Sequence, residues 1–221
     1  MRIIAGQRRG HKIDGPRPSG STRPTSDMVR ESLFNIVREL VVDRLVIDLF
    51  SGTGAIGLEA LSRGAERAIF VERDRENVSL IIRNIATLRY EDRAQVKLSD
   101  VYRWVRLFQP PPNRPVVVFL DPPYQEYEAR AARLNQLVSH LVDHLPAESV
   151  IALEGGRSLD ETILPNFPSW DIRRYGDTRI AIKVIPPASL ERASAVEESG
   201  ASPARPDQND EGAQPEETPH E

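Results

Sequence analysis

At 221 residues the chain is long enough for one domain of ordinary size and a tail, and a body of ~180 residues buries roughly 70% of its unfolded surface without a covalent staple. It holds no cysteine, which excludes disulfides, thiolate zinc sites and a cysteine nucleophile. The net charge of −4 hides an asymmetry: residues 188–221 carry nine acids and two arginines, a net of −7, leaving +3 for residues 1–187.

Residues 1–30 hold seven Lys/Arg against two Asp. That basic front is a modest nucleic-acid footprint, though on charge alone a solvated basic end fits as well. No apolar leader opens the chain and no stretch approaches the ~18 apolar residues of a membrane span. A cytoplasmic protein with no membrane contact is expected.

Residues 2–5 and 11–13 read as two short strands joined by a glycine-bracketed turn, 6–10, with Arg8 and Arg9 at its tip. A Pro/Gly/Ser-rich connector follows to residue 25 and contains Arg23-Pro24-Thr25. Thr25, Ser26 or Asp27 can cap a helix whose inward stripe is Val29, Leu33, Ile36, Val37 and Leu40.

From Leu45 the pattern alternates. The first central strand ends in Asp48-Leu49-Phe50, Ser51-Gly52-Thr53-Gly54 turns, and residues 55–63 form a helix closed by Gly64. Residues 67–71 are the next strand, ending at Glu72, and 74–88 a helix with Val78, Ile81, Ile82 and Ile85 inward. Residues 94–98 are the third strand, ending at Ser99-Asp100, and 101–108 a short helix. The fourth strand is Val116 to Leu120, five apolar residues that predict burial on both faces. It must stop at Asp121, because two prolines follow and neither can donate a ladder hydrogen bond. Residues 127–145 read as a helix, 149–153 as a fifth strand, and 171–175 and 179–185 as a closing hairpin around Gly176-Asp177-Thr178. The fold class is α/β: a doubly wound, mostly parallel seven-stranded sheet with an antiparallel last strand, preceded by the hairpin and a helix. Residues 1–187 are read as a single domain, with 1–25 as its basic extension. Residues 188–221 lack apolar periodicity and are read as a disordered acidic tail.

Two stretches carry chemistry. Gly52-Thr53-Gly54-Ala55-Ile56-Gly57 is a G-x-G-x-x-G between strand and helix, with Glu72 twenty residues beyond Gly52. Alone it suits a dinucleotide-dependent oxidoreductase. Glu72 can take both hydroxyls of an adenosine ribose. Asp48, however, would repel a pyrophosphate and would suit the ammonium group of S-adenosylmethionine. Asp100 can accept from an adenine amino group and cap the helix after it. Asp121-Pro122-Pro123-Tyr124 offers two acceptors, the Asp121 carboxylate and the Pro122 carbonyl, for the two N–H bonds of an exocyclic base amine. Held so, the nitrogen's lone pair is freed from the ring and aimed in line at a methyl group. Tyr124 can stack on the base, worth ~1–3 kcal/mol. His140 and His144 stand four apart but lack a third ligand, so no metal is expected.

The chain resembles the bacterial 16S rRNA guanine-N2 methyltransferase family over nearly all of residues 1–187. The matching stretches are Met1-Arg2-Ile3-Ile4-Ala5-Gly6 with its Arg-Arg-Gly turn, Arg23-Pro24-Thr25, Val29-Arg30-Glu31-Ser32-Leu33-Phe34-Asn35, Asp48 to Gly54, Glu59 to Ala65, Asp121 to Tyr124, and Tyr175 to Thr178. Asp-Pro-Pro-Tyr alone is shared with adenine-N6 enzymes, and a DNA adenine-N6 methyltransferase is the alternative reading. The resemblance implies a Rossmann-like class I S-adenosylmethionine-dependent methyltransferase. It would act as a monomer on N2 of one guanine in 16S rRNA, within the 30S subunit or a late assembly intermediate. It implies a donor site at Asp48, Phe50, Ser51, Gly52, Gly54, Glu72 and Asp100, and a catalytic base site at Asp121, Pro122, Pro123 and Tyr124. Arg8, Arg9, Lys12 and Arg23 become phosphate contacts. Ser51 and Thr53 stand where alanine and serine are usual, and the acidic tail is outside the family pattern.

Overall fold

Apolar runs and their breakers set out the sheet. In the computed structural model, which describes residues 1–15, 27–156 and 159–187, the strands are β1 (Leu45–Leu49), β2 (Arg67–Glu72), β3 (Ala94–Leu98), β4 (Val116–Leu120), β5 (Val150–Gly155), β6 (Asp171–Tyr175) and β7 (Thr178–Val184). Their order is β3-β2-β1-β4-β5-β7-β6, with β7 antiparallel to both neighbours. Arg23, the Thr25 and Ser26 cap candidates and the whole acidic tail lie outside the described residues.

Right-handed crossovers put helices on both faces. One face carries α1 (Asp27–Val37), α2 (Ala55–Ser62) and α3 (Arg75–Leu88), and its core also takes Ile3 and Ile13 from the N-terminal hairpin. The other carries α4 (Val101–Leu107), α5 (Tyr124–Ala129) and α6 (Ala131–His144). β4 sits centrally, and all five of its residues are buried, as an apolar run with no polar alternation requires. Edge strand β3 is only half covered.

Several elements depart from the sequence reading. The N-terminal pair is a single bridge, Arg2 to Lys12, braced by Ile3 N–H to His11 O at 3.0 Å and Gly10 N–H to Ile3 O at 2.8 Å. The expected helix over 127–145 begins three residues earlier, at Tyr124, and breaks at Arg130 (φ −138°, ψ 24°). Pro123 explains the early start: its fixed φ leads into a first turn whose missing donor costs nothing. Ile82 points outward, 53% exposed, and Leu80 and Leu88 fill the inner stripe of α3 with Ile81 and Ile85. In α1 the buried set includes Phe34 and a fully buried Arg30. Arg30 Nη2 donates to Arg2 O at 2.7 Å and to Asp27 Oδ1 at 2.9 Å. The hairpin covers that side of α1, so its buried face is wider than a single stripe.

Candidate active site

Strand register alone gathers the acids. Leu49 pairs with Val71 on one side and Leu120 on the other. One residue further on, Phe50 therefore lies between Glu72 and Asp121, with the two acids' backbones roughly 10 Å apart across two strand spacings. All three stand at the carboxyl edge of the central strands, where α/β sheets bind ligands. Asp48 is one turn of pleat behind them.

The glycine turn is tied to both neighbouring strands. Ser51 Oγ donates to Asp48 O at 2.6 Å and Val71 O at 3.2 Å. Gly52 N–H donates to Glu72 Oε2 and Asp74 N–H to Oε1, each at 2.8 Å. Glu72 is thus held by one backbone amide on each oxygen, and each oxygen retains a lone pair for a hydroxyl. Gly52 (φ +55°) faces open space: a Cβ there would meet only Phe50 O at 3.9 Å. Gly57 serves packing instead, since a Cβ would fall 2.4 Å from the Phe70 ring. The motif's glycines therefore divide, the first leaving the turn open to solvent-side space and the last seating α2 on the sheet. Phe50 holds φ +60°, a left-handed conformation that costs a bulky residue energy and tends to be kept at binding sites. Its ring meets the edge of Tyr102 at 6.0 Å.

Asp48 is 1% exposed, and its Oδ2 accepts from Gly57 N–H at 2.9 Å. Burial pushes its pKa well above the usual carboxylate range; the Gly57 bond pulls it back, and the charges of Asp121 and Glu72 push it further up. The edge is thus rich in negative charge. Asp100 caps α4 as expected, with Oδ1 accepting from Arg103 N–H at 3.1 Å and also from Arg133 at 3.3 Å.

At the end of β4, Pro122 is buried and Asp121 half-buried. Pro123 O accepts from Glu126 N–H at 2.8 Å in the first turn of α5. Tyr124 is 64% exposed, and its phenol is raised by a hydrogen bond to Glu128. Beneath it lie residues that sequence reasoning missed. Glu126 is 2% exposed, accepting from Tyr102 Oη at 2.6 Å and Arg130 at 3.0 Å, with Arg73 at 3.8 Å. Tyr127 is buried and donates to Glu154 O; burial raises its pKa first, then the charges of Asp121 and Glu154. Nothing in the local pattern singles these out, because apart from Arg130 their partners come from elements 24 to 53 residues away in sequence.

The hairpin arginines are not brought to this edge. Glu59, fully buried on α2, accepts from Ile4 N–H at 2.7 Å and Ala5 N–H at 3.0 Å. Gln7 N–H and Arg8 N–H then bond Ser62, the last residue of α2, at 2.7 and 2.9 Å. Eight residues of helix span roughly 12 Å, so the hairpin tip lies that far from the glycine turn, toward the opposite edge of the sheet. Arg8 rests over the Tyr90 ring at 5.8 Å, while Arg9 and Lys12 are exposed. The other end of the hairpin does reach the glycine turn: Asn84 Nδ2 donates to both Asp14 O and Thr53 O at 3.1 Å. His140 and His144 stack at 4.0 Å near the end of α6.

Strand order, the reversed β7 and an acid-flanked glycine turn define a Rossmann-like class I methyltransferase fold. The chain belongs to the family described as conserved hypothetical protein 95, whose model matches residues 1–184. It is 39% identical over 177 residues to ribosomal RNA small subunit methyltransferase D of Escherichia coli K12, covering 79% of this chain and 83% of that one. The Escherichia coli protein yhhF superimposes with a TM-score of 0.67 at 35% identity over 84% of this chain and 98% of that one. An RNA methyltransferase from Salinibacter ruber, solved with S-adenosyl-L-homocysteine, shares the fold at 16% identity (TM-score 0.52, 74% of this chain and 94% of that one). No helix among the described residues is long and apolar enough to cross a membrane.

Proposed function

We propose that the protein is an S-adenosylmethionine-dependent rRNA methyltransferase that modifies the exocyclic N2 amine of a guanine in 16S rRNA, on the 30S subunit or a late assembly intermediate. The observation that carries the reading is the row Glu72, Phe50, Asp121 at one sheet edge with buried Asp48 behind it. Its surplus of negative charge suits a cationic donor, and a pyrophosphate would be repelled. The family match and the 39% identical ribosomal RNA small subunit methyltransferase D support RNA as acceptor, and the S-adenosyl-L-homocysteine held by the Salinibacter ruber protein supports the donor.

The donor would supply an electrophilic methyl group on a sulfonium. Glu72, fixed by Gly52 and Asp74, holds the ribose hydroxyls. Asp48 receives the ammonium group, whose arrival favours the ionised carboxylate that burial otherwise resists. Asp100, with Oδ1 committed to Arg103 and Arg133, turns Oδ2 to the adenine amine. Asp121 and the Pro122 carbonyl accept the two N–H bonds of the target amine, positioning its lone pair. Exposed Tyr124 covers the base. Guanine over adenine rests on the N-terminal hairpin and the family; the four residues suit either base.

The test is direct. Labelled S-adenosylmethionine is incubated with 30S particles from a strain lacking the enzyme, and the RNA is digested. Label in N2-methylguanosine is expected. Label in N6-methyladenosine, or none in RNA, overturns the proposal.

A further inference from the structure

We infer that the arginine-lined cleft between α4 and α6 seats the phosphate backbone of the RNA beside the target base. The inference rests on the proposed rRNA methyltransferase activity and assigns that substrate a docking surface. The cleft has a volume of about 350 Å³ and is lined by Tyr102, Arg103, Arg106, Leu107 and Arg133. It continues along α6 into a second recess of about 210 Å³, which His140 borders. Burial, then the charge of His144, lowers the pKa of His140, so it adds no fixed charge.

Three features set this apart from an ordinary solvated helix face. First, the charge is unbalanced. Arg103 and Arg106 stand three apart on one side of α4, both exposed, and among the described residues neither makes an ion pair. Asp100 is committed to Arg133 at 3.3 Å. Cations gathered in a concavity raise the local concentration of an anion. Second, one arginine is pre-positioned. The Arg133 Cζ lies 3.9 Å from the Tyr102 ring centroid and Nη2 is held by Asp100, and a guanidinium fixed at two points offers its remaining donors in the fork that matches phosphate oxygens. Third, the cleft adjoins the catalytic edge. Tyr102 also meets Phe50 beside the glycine turn and donates to Glu126, two residues past Tyr124. One side chain therefore separates the arginines from the base site, whereas the hairpin tip lies at the far end of α2. A strand with its target base against Tyr124 would carry its flanking phosphates over this cleft.

The test compares wild type, Arg103→Gln/Arg106→Gln and Arg8→Gln/Arg9→Gln, measuring affinity for unmodified 30S particles between 50 and 200 mM salt on the order of the range where phosphate contacts are read out. S-adenosylmethionine affinity by calorimetry reports the fold. The α4 pair is expected to weaken 30S binding about tenfold or more and to flatten the slope of log K against log[salt] by roughly 1.4–1.8, at 0.7–0.9 per phosphate released. KM should rise while kcat at saturating particles holds. Arg103→Lys/Arg106→Lys should recover the slope. A Gln pair that keeps wild-type affinity and slope overturns the inference while leaving the proposed activity standing. A wild type that transfers no methyl to RNA overturns both.

Discussion

The two ends of α2 each carry a glycine-bracketed turn and a buried acid, and the acids are used differently. At the hairpin end, Glu59 accepts from Ile4 N–H, Ala5 N–H and Arg63 Nε within 2.7–3.0 Å. Its charge is met in full by one cation and two amides. At the glycine-turn end, Asp48 has one amide, and its charged neighbours are the acids Asp121 and Glu72, which raise its pKa further. A buried carboxylate whose surroundings already satisfy it is structural. One whose surroundings oppose its ionisation suits, under the proposed function, the cationic end of a donor that arrives.

Removing one acid from each end separates the two roles. Asp121→Ala should cut methyl transfer by about 10²–10³-fold or more, the scale of losing a pre-placed electrostatic group. S-adenosylmethionine affinity and Tm should change little; retained transfer would remove the carboxylate from the reaction. Glu59→Ala should do the reverse. Two amides and Arg63 lose their acceptor, a cost of about 3–5 kcal/mol, or roughly 6–20 °C in Tm for a domain of this size. Transfer per folded molecule, measured well below the new Tm, should survive far better than in Asp121→Ala. If Glu59→Ala melts like wild type, the hairpin is not anchored through that carboxylate.

Gly57→Ala asks whether the last glycine of the motif belongs to packing or to the ligand. Its Cβ would meet the fully buried Phe70 ring at 2.4 Å, and overpacking of this kind costs about 1–3 kcal/mol. Tm should drop accordingly while donor affinity of the folded protein is nearly kept. A selective loss of affinity at unchanged Tm would put Gly57 in the donor site, directly or through the Asp48 carboxylate 3.1 Å from the added Cβ.

Much of this contrast was legible in the chain. The five-residue run of β4 stopped by two prolines, and the spacing from Gly52 to Glu72, place the acids of the edge, because strand ends and glycine turns are written locally. Ile82 is misread because a second stripe of the same period, Leu80, Ile81, Asn84, Ile85 and Leu88, runs beside the expected one and is the buried one. The sequence assigns no role to Glu59, Glu126 or Tyr102, because a buried polar group is recognisable only by partners that folding brings from elsewhere. The same applies to the arginines: Arg8 and Arg9 stand together in sequence yet sit at the far edge, and the arginines of α4 and α6 converge only in three dimensions.

The smallest effect isolates Asp48 itself. In Asp48→Asn the amide oxygen still accepts from Gly57 N–H, so the turn is kept, but the titration is gone. In the wild type the folded-state pKa lies above the unfolded value of about 3.9, so as pH rises from there the unfolded chain gives up its proton first. Stability present below that value is lost until the raised folded-state pKa is passed. Asp48→Asn should lack this decline: its Tm should match wild type near pH 4 on the order of the unfolded carboxylate value, and exceed it increasingly toward neutrality. Donor affinity should fall over the same range, since the ammonium group loses its counter-charge. A gain in stability and a loss of binding from one substitution is the signature of an acid held ready for a ligand. Parallel Tm–pH curves would instead mean that Asp48 ionises in the folded protein as an ordinary carboxylate does, and the distinction from Glu59 would vanish.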